Sequence, residues 1–390
     1  MSSKVFSLQG QGLKLDTAAD IEPHLANVDP TIIEEIHMGG NTIGVEAAEA
    51  LGKFLEKTQV LRVADFADIF TGRLISEIPQ ALTSICTALK SKTSLIELDL
   101  SDNAFGGRSV DPMVPFLTDN RSFQILKLNN NGLGPAGGSV IANALLKSAQ
   151  LSKSEGKKSN LRVVICGRNR LENGSAPVWA EAFAAHGTLE EVRMPQNGIR
   201  MEGIEALAKG LAKNPSLKHI DLQDNTFTSD GALVAIEAWA ESLGSWPELE
   251  VLNLSDCVLS AEGEVPKLLK ILAEGSNPKL HTLQLQNNNL ETETLALLTE
   301  NVAEKMAGLL RLELQWNDIE EEDENIENLG LVLKARGGKL YVTDEDEEEE
   351  EEETKEEDEE EKEEGVREEL DAVDKATDDL ADLLNKVSLS

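Results

Sequence analysis

The sequence predicts an α/β solenoid: about eleven long strand–helix repeats, with parallel strands on the concave face of a horseshoe and helices on the convex face. Two observations predict it. A frame of apolar residues at offsets 0, 3 and 5, asparagine at offset 8 and another apolar residue at offset 10 recurs along the chain. The offset-8 positions then advance by intervals whose floor is 28 residues. That is the long end of the roughly 20–29-residue range of leucine-rich repeats, where each unit holds a strand and a full helix. One such unit cannot bury its apolar face alone, so neighbours stack and share a continuous core.

The units follow in order. A worn first copy, with Phe6, Leu8 and Leu13, reads as an N-terminal cap. Clear copies are Ile33, Ile36, Met38, Asn41, Ile43; then Leu95, Leu98, Leu100, Asn103, Phe105; then Phe123, Leu126, Leu128, Asn131, Leu133. Further copies centre on Asn169, Asn197, Asn225, Asn288 and Asn317, and two degenerate copies put Ile69 and Cys257 at the asparagine position. Between frames, VEAAEALGKFLEKT and IEALAKGLAKN combine good helix formers with an apolar stripe. Two long intervals, of 34 and 38 residues, locate insertions. One contains IFTGRLISEIP, where Gly72, Arg73 and Pro79 mark an irregular turn. The other contains KSAQLSKSEGKKSN, a polar stretch expected to be a surface loop.

The repeat domain is expected to span residues 1–343. Residues 344–364 then hold 18 acidic residues and two lysines. Such a stretch repels itself and buries no apolar area, so 344–365 is expected to be a disordered acidic segment. In 366–390, Leu370, Val373, Leu380, Leu384 and Val387 fall on one helical face, which predicts a short amphipathic tail, marginal alone in water.

Composition narrows the function. A net charge of −36 disfavours nucleic acid and anionic membrane and favours a basic partner. With hydrophobic residues at 40% and aromatics at 4%, the core is expected to be aliphatic. There is no apolar run of about 18 residues, and MSSKVFSLQGQGLKL lacks the apolar stretch of a signal peptide. The scattered Cys86, Cys166 and Cys257 suit a reduced, intracellular chain. Cys166 and Cys257 fall on inward positions of the frame and read as core rather than as nucleophiles or ligands.

No self-contained catalytic centre is legible. The chain lacks GxSxG, HExxH and CxxC, and His24, His37, His186, His219 and His281 lie on different units. SEGKKS fails the phosphate-loop pattern, because Leu151 stands where the first glycine belongs and Lys158 where Ser or Thr belongs. No metal and no cofactor of its own are expected.

The offset-8 asparagine is a residue of the fold, since its amide can satisfy backbone groups where the chain leaves each strand. That covers Asn41, Asn103, Asn131, Asn169, Asn197, Asn225, Asn288 and Asn317. Residues at offsets 2, 4, 6 and 7 remain free to act. Offset 4 reads His37, Asp65, Asp99, Lys127, Ile165, Arg193, Asp221, Asn253, Gln284, Glu313. Offset 7 reads Gly40, Asp68, Asp102, Asn130, Arg168, Gln196, Asp224, Asp256, Asn287, Trp316. This acid-rich edge reads either as a solvated face or as a docking surface for a basic globular partner. In the triplet Asn129–Asn130–Asn131, the frame claims only Asn131.

Several stretches are more specific than the frame demands: GNTIG (40–44), DIFTGR (68–73), LSDNAFG (100–106), NNGLGP (130–135), ICGRNRLENGS (165–175), QNGIR (196–200) and LQDNTFT (222–228). Together they resemble the GTPase-activating proteins for the nuclear-transport GTPase Ran, of the fungal type, over essentially the whole chain. The resemblance implies a cytoplasmic protein, active as a monomer, that accelerates GTP hydrolysis in trans on GTP-loaded Ran, with a Ran-binding protein as a further partner. It implies that nucleotide, magnesium and the water-positioning glutamine all belong to Ran, and that an asparagine orients this glutamine in place of an arginine finger. The motif puts that asparagine at Asn130. It puts the arginine of DIFTGR at Arg73, as a supporting or interface residue. Asp102, Arg168, Gln196, Asp224 and Asp256 become candidate contacts on the same rim. Vertebrate members add a C-terminal domain for pore anchoring, which is not expected here. The competing expectation is a non-catalytic acidic leucine-rich adaptor that binds basic proteins such as histones; its repeats are shorter, so the 28-residue period speaks against it.

Overall fold

Each strand of the main sheet is three residues long because the frame supplies one inward position between two open ones. In Ile125–Lys127 the middle residue, Leu126, is fully buried and its two neighbours are half-exposed. The computed structural model describes residues 3–320 and 323–343. Among these, eleven strands from Val5–Ser7 to Arg311–Glu313 pair in parallel, each with its neighbours in the chain. The register never shifts: the offset-3 residues Ile36, Ala64, Leu98, Leu126, Val164, Val192, Ile220, Leu252, Leu283 and Leu312 stand in one row. A one-residue slip would expose a whole row, which is why the register is so firmly specified. Lys339–Tyr341 adds a twelfth strand that lies beyond the last asparagine frame and was not expected. The fold is therefore the leucine-rich solenoid that the period predicts.

The worn N-terminal copy does form a strand, Val5–Ser7, with Phe6 and Leu8 buried. It is reinforced by a short parallel pair, Lys14–Leu15 with Thr42–Ile43. A first helix follows at Ala18–Leu25. Helices Val45–Lys57 and Met201–Leu211 cover the two helix-like stretches, burying Leu51 and Leu55 in one and Ile204 and Leu207 in the other. Helices of successive units pack side by side. At Gly210 an added Cβ would come within 2.4 Å of Ala180 O, so the glycine lets Glu172–His186 and Met201–Leu211 approach closely.

Three expectations need correcting. KSAQLSKSEGKKSN is not all loop, because helix Gly134–Ser154 runs through its first eight residues and buries Ser148, Ala149 and Ser152. The helix stops only where Gly156 takes φ +68°. Nor does every unit hold a full helix. In the unit after Asn103, prolines at 112 and 115 leave two 3₁₀ turns and the six-residue helix Val114–Asp119. Finally, the core is mostly aliphatic but contains an aromatic block, in which Trp239 lies 5.4 Å from Phe227 and 5.3 Å from Trp246 between ring centroids.

The chain divides between Leu340 and Tyr341. The acidic segment 344–365 and the amphipathic segment 366–390 lie outside the described residues.

Candidate functional site

The inward asparagines form a ladder. Asn131 is fully buried. Its Nδ2 donates to Leu100 O at 2.9 Å and Leu128 O at 3.1 Å, and its Oδ1 accepts from Asn103 N at 3.0 Å. Asn41, Asn103, Asn169, Asn197, Asn225, Asn288 and Asn317 repeat the scheme, each accepting a backbone N–H from the unit before. Where Cys257 replaces asparagine, its thiol donates to Leu222 O at 3.3 Å. All three cysteines are buried, and desolvation pushes the Cys86 and Cys166 thiols up to about 12, which removes them as nucleophiles. A second set, Asn120, Asn214 and Asn277, ties each helix end to carbonyls of the preceding unit. Each stands three residues before offset 0 of its frame, at Phe123, Leu217 and Leu280, a position that other units fill with residues such as Pro30, Lys92 and Trp246.

One residue before the ladder, the chain turns outward, and it does so the same way each time. Every offset-7 residue has a left-handed backbone: Gly40, Asp68, Asp102, Asn130, Arg168, Gln196, Asp224, Asp256, Asn287 and Trp316 lie between φ +47° and +73°. Glycine, asparagine and aspartate enter that region at least cost. The fold itself therefore favours asparagine at 130 without requiring it, since Arg168, Gln196 and Trp316 adopt the same turn. Asn129, which the frame leaves unclaimed, also links units: its Oδ1 accepts from Gly167 N at 2.6 Å in the next unit.

These turns make a rim of consecutive side chains. Asn130 Nδ2 donates to Asp102 Oδ1 at 3.0 Å. Its Oδ1 has no hydrogen-bond partner among the described residues. Arg168 and Gln196 follow on the next two rungs, both exposed, and Asp224 and Asp256 come after them. Burial raises the pKa of Asp224, and the Asp256 carboxylate raises it further.

Arg73 does not belong to this row. Its side chain is only 9% exposed. The guanidinium pairs with Asp16, donates from Nε to Thr42 Oγ1 at 2.8 Å, and donates from Nη2 to Thr42 O at 2.9 Å. It thereby pins the 70–77 loop to the N-terminal strand pair. The next two residues, Leu74 and Ile75, are 67% and 60% exposed.

The open face of the sheet is less available than the alternation suggested. Among the offset-4 residues, Asp221, Asn253 and Glu313 are buried. Burial raises the Asp221 pKa, against bonds from Gln223 and the charge of Arg193. Lys127 pairs with Glu97 at 2.6 Å. His37 bridges Asp65 at 3.1 Å and Glu35 at 3.2 Å; burial works against charging it, yet the two carboxylates outweigh that and hold its pKa up. Among the described residues, no group of three His, Cys, Asp or Glu side chains could hold a metal ion, and no helix is long and apolar enough to cross a membrane.

Comparison with known proteins fits this architecture. The family model "Leucine Rich repeat" matches residues 91–113, 119–142 and 213–234. Ran GTPase-activating protein 1 of Saccharomyces cerevisiae is 40% identical over 238 residues, covering 59% of this chain and 58% of its own. Ran GTPase-activating protein 1 of Xenopus laevis is 46% identical over 197 residues, 50% of this chain and 34% of its own. Ran GTPase-activating protein of Drosophila melanogaster is 40% identical over 216 residues, 54% of this chain and 36% of its own. The chain thus matches a little over half of the yeast protein and about a third of the other two.

Proposed function

We infer, because the chain belongs by sequence with the leucine-rich repeat Ran GTPase-activating proteins over the half it shares with them, that it accelerates GTP hydrolysis by Ran. The observation behind this reading is an identity of 40–46% with three proteins of that name. In this reading the chain acts in trans in the cytoplasm, as a monomer, on Ran in its GTP form with a Ran-binding protein alongside. Its cellular role is to support nucleocytoplasmic transport. Nucleotide and Mg²⁺ belong to Ran, and the chain supplies no cofactor.

Asn130 is the residue that does the work. An amide can accept with Oδ1 and donate with Nδ2 at once. Asp102 occupies one N–H of Nδ2 and so fixes the plane of the amide. The Oδ1 then accepts an N–H from the side-chain amide of Ran's glutamine, holding that side chain where its own oxygen can orient the attacking water. This is catalysis by positioning, whose reward comes from freezing a mobile side chain in the productive geometry. Closing the interface also removes water and strengthens the charges already present in Ran. Two features support the assignment: Asn130 lies on the rim rather than in the ladder, and its Oδ1 is free among the described residues.

Arg73 supports the site without entering it. An arginine finger must reach the transferred phosphoryl group. To do so Arg73 would have to give up Asp16 and Thr42. Its role is to hold the 70–77 loop against the partner.

The test is direct. Catalytic amounts of the protein are mixed with GTP-loaded Ran and phosphate release is followed. Multiple-turnover acceleration is expected, and an unchanged hydrolysis rate ends this reading.

A further inference from the structure

We propose that the far end of the rim, where Trp316 follows Asp224, Asp256 and Asn287, is a docking surface for a basic protein segment bearing arginine side chains. Trp316 is the starting observation. It is 58% exposed, whereas Trp179, Trp239 and Trp246 are fully buried. It occupies an offset-7 turn at φ +58°, a conformation that a bulky residue adopts reluctantly. The fold thus gains neither burial nor backbone ease from tryptophan at this position, where Gly40, Asp102 and Asn287 show the residues that the turn prefers.

The neighbours say what the ring would meet. Asn287 N donates to Gln315 O at 2.9 Å, Asp256 N to Gln286 O at 2.8 Å, and Asp224 N to Ser255 O at 3.0 Å. These bonds set the four residues on successive rungs, about 4.8 Å apart, so the row is about 14 Å long. Asp256 accepts from Asn287 Nδ2 at 2.7 Å and from Gln223 Nε2 at 3.2 Å. Both donors are neutral, and among the described residues no lysine or arginine pairs with Asp224 or Asp256. Burial and the facing Asp256 carboxylate make Asp224 costly to keep charged without a cation. Exposed Asp318 follows Trp316 in the chain.

An exposed aromatic side chain one rung from Asn287 and two rungs from the unneutralised Asp256 selects a cation. A guanidinium stacks on the tryptophan ring and desolvates at little cost. An extended segment rises about 3.3 Å per residue, so about four residues span the row. One cationic side chain can then cover Trp316 while another reaches Asp256. Asp224 lies three repeats beyond Asn130 and Trp316 six, about 14 and 29 Å along the strand spacing, and the inference does not depend on the Ran reading.

The buried state of the other tryptophans provides the probe, because acrylamide quenching of the full-length protein reports Trp316. A short arginine–glycine peptide is expected to shield Trp316 from acrylamide in a saturable, salt-sensitive way. Asp256→Asn should weaken that shielding several-fold, and Trp316→Gly, which removes the probe, should weaken peptide affinity read from the anisotropy of a labelled peptide by about tenfold. Glycine suits the left-handed turn, so a loss in Trp316→Gly would not be a loss of fold. The proposal is overturned if the peptide leaves Trp316 as quenchable as before, whether it binds the acidic segment instead or does not bind at all. It is equally overturned if a glutamate–glycine peptide shields Trp316 as well. A negative Ran assay would leave either result standing.

Discussion

The rim contains the same device twice. In one copy Asn130, at φ +51°, donates to Asp102 of the preceding unit at 3.0 Å; in the other, Asn287, at φ +50°, donates to Asp256 at 2.7 Å. Backbone and hydrogen bond agree, yet the surroundings differ. Asn130 is followed by Arg168 and lies in the unit of Lys127, which pairs with Glu97. Asn287 is followed by Trp316, and its Asp256 is shared with Gln223. The lesson is that an Asn–Asp pair at offset 7 is something the solenoid makes readily, because the left-handed turn favours both residues. Geometry at the pair alone assigns no function; the sequence around it, NNGLGP against NNNLET, is what sets Asn130 apart.

The largest expected effect separates the two copies. Asn130→Ala should lower kcat for the stimulated hydrolysis of GTP by Ran by about 10²–10³, the scale of losing one preorganised hydrogen-bonding group. Asn287→Ala should leave the rate unchanged. Phosphate release under saturating GTP-loaded Ran measures both. Equal rates for the two variants would mean that Asn130 is only a turn residue.

The next effect moves one residue inward. Asn131→Ala removes bonds to Leu100 O, Leu128 O and Asn103 N in a fully buried setting. With unsatisfied buried groups costing about 1–3 kcal/mol each, a loss of about 3 kcal/mol of stability is expected. Asn130→Ala should cost less, about 1–2 kcal/mol, because one exposed bond is lost and alanine enters the left-handed turn less readily than asparagine. Chemical denaturation of the two variants gives the comparison, and a reversed order would undo the assignment of ladder and rim.

This pair of neighbours marks where the sequence was legible and where it was not. The ladder could be read because it is periodic: one inward amide per unit does the same job at Asn41 and at Asn317, so spacing alone reveals it. The strand rows could be read for the same reason. The sign of φ at offset 7 could not, since Arg168, Gln196 and Trp316 occupy it as well as Gly40 and Asp102. Asn129 was opaque because its partner, Gly167, lies 38 residues away across an insertion of irregular length. The helix through Ser154 was masked by serine and lysine, whose exposed positions made a buried stripe of Ser148, Ala149 and Ser152 look like loop. Arg73 was placed in a motif, but its partner Asp16 lies in the worn cap where no frame points.

A smaller effect tests whether the pair acts as a unit. Asp102→Ala frees the amide of Asn130 to rotate, and a rate loss of about tenfold is expected, equivalent to about 1.4 kcal/mol in the barrier. Asp256→Ala, a candidate docking contact remote from Asn130, should leave kcat at saturating GTP-loaded Ran unchanged. If Asp102 acts only through Asn130, the double variant Asp102→Ala with Asn130→Ala should be no slower than Asn130→Ala by itself. An additive loss would show that Asp102 touches Ran directly.

The smallest effect is the one that isolates the backbone. Glycine adopts the left-handed region without a Cβ clash, whereas for most side chains the same region costs about 1–2 kcal/mol, and asparagine is among the residues that visit it routinely. Part of any gain is offset by the extra freedom glycine gives the unfolded chain. Arg168→Gly should therefore stabilise the protein by about 0.5 kcal/mol, while Asn130→Gly should lie within about 0.5 kcal/mol of the parent. Both follow from one set of denaturation curves. Asn130→Gly then has a second use, because it deletes the amide while keeping the turn. If its hydrolysis rate falls as far as that of Asn130→Ala, the loss belongs to the side chain and not to a distorted rim. If Asn130→Gly retains the parent rate, the turn is all that this position provides, and the two copies of the device are equivalent after all.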